Sequence, residues 1–263
     1  MPRPGPPEVG AGHVHALYVH QRGRLHRLAP QAKLVALVLF VLAVVATPRE
    51  AFGAFALLAA LVAAVAVTGG LSLRRLARRL LIEAPFLAFA VFLPFVGHGP
   101  RTDVAGLSLS TAGLWGAWNI VAKGTLGVAA SLVVASTTPV SQLLHGLERL
   151  HLPRVVTAIA GFMVRYLDVT TGELQRLSIA RQSRGHDPRW IWQARAVAAT
   201  AGTLFVRSFE RGERVHLAMV SRGFDGTLPQ LDEQHAPASE WLACLAVPAL
   251  AAAIALGAWL AVA

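Results

Sequence analysis

At 263 residues the chain has room for one or two ordinary domains, but 55% of it is hydrophobic, 14% is charged and its mean hydropathy is +0.54. A soluble domain typically carries about 25% charged residues, so this composition excludes one and indicates an integral membrane protein. The formal net charge of +10 therefore marks the cytoplasmic side of a bilayer rather than a nucleic-acid surface.

The first 27 residues form a Pro/Gly-rich tail with histidines at His13, His15, His20 and His26. No cysteine accompanies them and Glu8 is the tail's only acidic residue, so the tail reads as solvated rather than metal-binding. No small-residue cleavage site follows the first apolar run, so that run reads as an uncleaved first span.

A membrane helix needs about 20 apolar residues to cross a hydrocarbon core roughly 30 Å thick. Five segments approach this. The first runs from Pro30 to Thr47, opening on a proline suited to a helix start. A turn at Pro48-Arg49-Glu50 leads to the second, Ala51 to Thr68, which Gly69-Gly70 breaks. A tetrabasic cluster, Arg74, Arg75, Arg78 and Arg79, follows and reads as a lipid-facing anchor over anionic headgroups. The third span covers Glu83 to Val96 with Pro85 and Pro94 inside it, and a loop runs from Gly97 to Leu114. The fourth covers Trp115 to Thr138 and contains Asn119 and Lys123, the latter close enough to the outer end for its ammonium to snorkel to the interface. The last runs from Trp241 to Ala263 and contains the single cysteine, Cys244.

Basic residues precede the first span (Arg22, Arg24, Arg27) or lie in its first turn (Lys33), and others follow the second. They place the N-terminus in the cytoplasm and, with five spans, the C-terminus outside. Between the last two spans, residues 139 to 230 carry 12 arginines against seven acidic groups in helical periodicity. Two apolar stretches there, Val155 to Val164 and Ala196 to Val206, end at Arg165 and Arg207 and are too short to span. The second continues as an amphipathic helix, with Phe205, Phe209, Gly212, His216 and Met219 on one stripe. Arg207, Glu210, Arg211 and Arg214 lie on the other. The expected fold is thus all-α: a five-span membrane bundle with a cytoplasmic helical platform between the last two spans. Its parts are a tail (1–27), a four-span region (28–138), the platform (139–237) and a final span (238–263).

The platform holds a duplicated pattern, Ala180-x-x-Ser183-Arg184-Gly185-x-Asp187 and Ala218-x-x-Ser221-Arg222-Gly223-x-Asp225. One copy has an ordinary explanation: glycine takes the left-handed conformation that closes a helix, and arginine favours the negative end of the dipole. Two copies agreeing at five positions also read as two helix ends offering the same cation to two copies of one partner. A residue can serve as both cap and docking point.

Catalytic and nucleotide motifs are absent. Neither lysine, Lys33 or Lys123, completes a P-loop, and there is no His-Glu-x-x-His, no Gly-x-Ser-x-Gly and no acidic pair inside a span. A membrane enzyme such as a lipid transferase, using arginines for phosphate, therefore lacks its polar catalytic groups.

Several stretches carry a family resemblance: Leu28-Ala29-Pro30-Gln31-Ala32-Lys33-Leu34, Thr137-Thr138-Pro139, Leu147-Glu148-Arg149-Leu150-His151-Leu152-Pro153 and Arg165-Tyr166-Leu167. The longest run from Leu204 through Arg207-Ser208-Phe209-Glu210-Arg211-Gly212-Glu213-Arg214 to Ser221-Arg222-Gly223-Phe224-Asp225-Gly226. Over nearly its whole length the chain resembles the transmembrane (T) component of energy-coupling factor transporters, most closely the cobalt branch, CbiQ. The resemblance implies a non-catalytic scaffold in the cell membrane, partnered by two ABC-type ATPases and a separate substrate-capture (S) subunit. Any ATP and magnesium would then sit on the ATPases, with no cofactor in this chain. It also implies that Ser183-Arg184-Gly185 and Ser221-Arg222-Gly223 correspond to the two Ala-Arg-Gly motifs that dock on the ATPases, serine replacing alanine. Arg165, Arg207, Glu210, Arg211 and Arg214 would support those helices. Cobalt comes from the resemblance alone; the same scaffold could serve nickel or a vitamin.

Overall fold

A computed structural model describes residues 24–96, 100–104, 107–185, 194–226 and 237–262. These fall into two compact units, one within Leu147–Glu233 and one within Tyr18–Gly146 and Gln234–Ala263.

The larger unit is the membrane bundle. Its helices are α1 (Pro30–Ala46), α2 (Phe52–Thr68), α3 (Leu73–Leu80), α4 (Ala84–Val96), α5 (Thr111–Thr137) and α9 (Ala238–Val262); α6 (Val140–Arg149) leads out of it. By length and composition Leu73–Val96, Thr111–Thr137 and Ala238–Ala261 can cross a membrane. The shorter apolar helices α1 and α2 have 17 residues each, the lower end of the spanning range. The third membrane segment thus starts ten residues before Glu83. Hydropathy falls at the arginines, but the helix continues through a 3-10 turn at Leu81–Glu83, because backbone hydrogen bonding does not stop at charge.

One further difference lies outside the membrane helices. The stretch read as a loop carries an antiparallel hairpin, β1 (Arg101–Val104) and β2 (Leu107–Ser110), with Arg101 opposite Ser110 and Val104 opposite Leu107. The Ser110 hydroxyl then accepts from the Gly113 amide at 3.3 Å and caps α5.

Bonds across the unit fix the helix directions. The Ala29 amide donates to Glu240 Oε2 (2.8 Å) at one end of α1 and α9, and Trp259 Nε1 donates to the Ala46 carbonyl (2.8 Å) at the other. α1 and α9 therefore run parallel. The main core packs Phe40, Val44, Phe55, Leu58, Val62, Leu126 and Val133 between α1, α2 and α5, and a smaller cluster gathers Ala29, Ala32 and Cys244.

The two ends of the bundle differ in chemistry. At one end buried Lys33 donates to Thr138 Oγ1 (3.1 Å) and Arg79 Nη1 donates to Ser136 Oγ (2.6 Å). Arg79 is therefore not the lipid-facing charge expected from sequence. It is half-buried against α5, while Arg74, Arg75 and Arg78 stay exposed. At the other end Phe52 packs on Trp115 and Trp118, and the Arg49 guanidinium lies 5.7 Å from the Trp115 ring centre. Lys123 also lies there, with Nζ donating to the Val45 carbonyl at 2.7 Å. Its ammonium caps an orphan carbonyl in the last turn of α1, a more specific bond than snorkelling requires.

α4 packs on α5 through Gly113. A Cβ on that glycine would sit 2.5 Å from the Leu93 carbonyl oxygen and 2.7 Å from Pro94 Cα, so no larger residue lets the two backbones approach.

Candidate functional site

The second unit is built on α7 (Arg154–Ser183) and α8 (Ala194–Val220). The two apolar stretches of the sequence are only the first part of these long helices, and each exposes large side chains, including Val155, Met163, Phe205 and Phe209.

Both Ser-Arg-Gly triplets end a helix. After α7, Arg184 is the C-cap, Gly185 takes φ 77° and its amide donates to the Gln182 carbonyl at 2.9 Å. After α8, Gly223 takes φ 84° and donates to Val220, while the Phe224 amide reaches back to Met219 at 3.0 Å. The α8 end is a Schellman closure and the α7 end shares its glycine and its first bond; in both, glycine supplies the left-handed residue at no steric cost. Among the described residues the serine hydroxyls bond only to their own helices, Ser183 to the Ile179 carbonyl and Ser221 to the Ala218 carbonyl, each at 3.0 Å. Serine therefore behaves here as a small residue whose polar atom is satisfied locally.

α6 separates capping from presentation. It closes by the same bonds, the His151 amide to Glu148 and the Leu152 amide to Leu147, with His151 at φ 67°. The residue before its left-handed position is Leu150, not arginine. The closure thus has no need of a guanidinium. At both Ser-Arg-Gly ends Arg184 and Arg222 are exposed, and no ion pair or hydrogen bond occupies their side chains among the described residues. Asp225 is exposed beyond Gly223, and Asp187 lies outside the described residues, as do His13, His15 and His20.

α7 and α8 run antiparallel. Arg181, late in α7, donates to Thr200 Oγ1 early in α8 at 3.3 Å, whereas Phe162, early in α7, and Met219, late in α8, line one cleft. The two arginine tips therefore lie on opposite sides of the contact. At its centre Glu173 is clamped by Arg207 Nη1 on Oε1 (3.1 Å) and Arg211 Nη2 on Oε2 (3.0 Å), with its side chain 8% exposed. The hydrogen bond from Arg207, aided by the nearby Arg211 charge, outweighs burial and holds this carboxyl below the usual carboxylate range.

The other support residues divide. Glu210 and Arg214 form the expected i,i+4 pair at 3.9 Å on the exposed face. Arg165 is exposed and unpaired among the described residues. The stripe expected on α8 is rotated: Ser208, Arg211, Gly212, Val215, His216 and Met219 face the cleft, while Phe205 and Phe209 point away. Arg211 faces inward because Glu173 holds it there. Sequence reading missed Glu173. Its only signal was an acid on α7 opposite arginines one turn apart on α8, legible once the helices are known to be antiparallel.

Among the described residues no group of three or more His, Cys, Asp or Glu side chains could hold a metal.

A family model described as cobalt transport protein, CbiQ, matches residues 21–233. The chain is 28% identical over 121 residues to an uncharacterized protein of Methanocaldococcus jannaschii, covering 46% of this chain and 45% of that protein. It is 25% identical over 151 residues to a putative fused cobalt transport protein CbiMQ of Methanocorpusculum labreanum, covering 55% of this chain and 25% of the other. It is 27% identical over 165 residues to the cobalt transport protein CbiQ of Rhodobacter capsulatus, covering 62% and 66% respectively. The matches thus span less than half the length of the first two relatives.

Proposed function

The chain belongs to the CbiQ cobalt transport protein family, and from that premise we propose that it is the membrane scaffold of an ATP-driven importer for cobalt ions. In this reading it has no catalytic site of its own. Two ATPase subunits bind ATP and magnesium, a separate membrane subunit captures the ion, and this chain carries motion from the former to the latter. The end of the bundle bearing Lys33, Arg79 and Glu240 faces the cytoplasm, and the tryptophan end faces outside.

The observation that carries this reading is the pair of Ser-Arg-Gly ends. Each presents an exposed guanidinium at the negative end of a long helix, and the two lie on opposite sides of one helix crossing. A guanidinium offers a rigid fork of donors suited to a carboxylate or a carbonyl-lined groove. Two equivalent tips fit two equivalent partners, and helices as stiff as α7 and α8 can pass a displacement along their length.

The test is assembly. Expressed with its ATPases, the chain should co-purify with them, and Arg184→Ala with Arg222→Ala together should abolish that association. Co-purification at the unaltered ratio, with normal cobalt(II) uptake, would reduce the duplicated motif to a pair of helix caps.

A further inference from the structure

We propose that Glu173 is a positioning residue: an ionic pin that fixes where α7 crosses α8, so that a displacement at either arginine tip is delivered to both helices. The inference rests on the scaffold reading above for its consequence in transport, but not for the pin itself.

The argument begins with what does not hold the two helices. Within α7 only Thr157 and Glu173 are buried, and none of the described residues of α8 is. A cleft of about 390 Å³ separates the helices toward the Arg222 side, lined by Phe162, Tyr166, Val215 and Met219 among others. Hydrophobic packing, the usual source of helix–helix adhesion, is only partial: Leu204, Val215 and Met219 of α8 are half-buried, and no apolar side chain of either helix is fully buried. The strongest directional contacts are the two charge-assisted bonds on Glu173. Arg181 to Thr200 adds one weaker bond on the Arg184 side.

The position suits a pivot. At 1.5 Å rise per residue, Glu173 lies roughly 17 Å along α7 from Arg184, and the midpoint of Arg207 and Arg211 lies roughly 20 Å along α8 from Arg222. The arms are nearly equal, so the tips move by similar amounts when the crossing angle changes. The chemistry suits one too. A packed apolar interface resists a change of angle because knobs must leave their holes. Two long arginine side chains can keep both hydrogen bonds to one carboxylate through a modest rotation. The contact is firm against separation and permissive toward turning.

The test uses the full chain. In a Cys244→Ser background, spin labels at Gln182→Cys and Leu217→Cys report the distance between the two tips by pulsed electron resonance. Both sites are exposed, Gln182 two residues from Arg184 and Leu217 five residues from Arg222. With Glu173 present the distribution should be narrow. Glu173→Gln keeps the shape, removes the charge and should broaden it. A reversed triad, Glu173→Arg with Arg207→Glu and Arg211→Glu, should narrow it again. An unchanged width in Glu173→Gln overturns the pin.

A second measurement separates positioning from mere stability. In the assembled transporter in proteoliposomes, Glu173→Gln should leave the ATPases bound at the unaltered ratio while cobalt(II) taken up per phosphate released falls roughly tenfold. That size matches the loss of a charge-assisted bond. An unchanged ratio refutes the delivery of motion through Glu173. If the unaltered chain fails to bind ATPases at all, the scaffold reading falls while the distance measurement still decides the pin.

Discussion

Basic side chains serve opposite purposes in the two units. In the membrane bundle Lys33, Arg79 and Lys123 are each drawn onto an acceptor of another helix, at Thr138, Ser136 and the Val45 carbonyl. In the second unit Arg207 and Arg211 bond to Glu173, while Arg184 and Arg222 are exposed and, among the described residues, unpaired at helix ends closed by backbone bonds. A charge bonded inside its own chain organises the fold. A charge exposed at a helix end is available to a partner, and the proposed docking role rests on that availability together with the repeated Ser-Arg-Gly closure, since Arg74, Arg75, Arg78 and Arg165 are exposed as well.

The largest test of that contrast removes the exposed charges. Each tip truncated to alanine should cost association with an ATPase by about 2–5 kcal/mol, the usual penalty for one side of a buried charged pair. The double variant should lose disproportionately more, because the second contact no longer profits from the first. Glutamate at either tip should be worse than alanine, and lysine should restore binding only in part. Pull-down stoichiometry reads all of these; tips that tolerate glutamate would break the comparison.

Next comes the bundle's own close contact. Gly113→Ala drives a methyl into the Leu93 carbonyl and should cost about 1–3 kcal/mol, typical of overpacking. A fall in thermal stability of the detergent-solubilised chain would show it, with ATPase binding spared in the molecules that remain folded.

The arginine cluster divides more finely. Arg79→Ala loses a bond to Ser136 and should cost about 1 kcal/mol. The exposed Arg78→Ala should stay within about 0.5 kcal/mol of the unaltered chain. Equal effects in a denaturation series would mean that the Ser136 contact contributes nothing.

The Glu173 clamp carries a pH signature that vanishes near neutrality. Because its folded carboxyl titrates below the ordinary value, the stabilisation is complete above the unfolded value and drains away as pH falls through the depressed one. The spread of tip distances should therefore be constant across neutral pH and widen only in acid. Glu173→Gln should be flat throughout.

The smallest effect belongs to the serines. Ser183→Ala and Ser221→Ala remove hydroxyls bonded only to backbone of their own helices, and ATPase binding should change by under about 0.5 kcal/mol. A large loss would give the hydroxyls a partner of their own.

Composition and periodicity settled the class of this protein, since continuous apolar runs approaching 20 residues suit membrane helices, whose backbones bond internally, rather than the alternating strands of a barrel. The duplicated triplets were legible because a glycine that closes a helix is a local event, decided within a few residues. Three things were not local. The third membrane helix reaches back to Leu73 through arginines that hydropathy treats as an end. Arg79 chose Ser136, 57 residues away, over lipid. Glu173 joined Arg207 and Arg211 across 34 and 38 residues, which turned α8 so that Arg211 faces inward and Phe209 outward. Sequence fixes which groups demand a partner when they are buried. Which partner meets the demand depends on helices that approach only after folding, and that choice belongs to the tertiary structure.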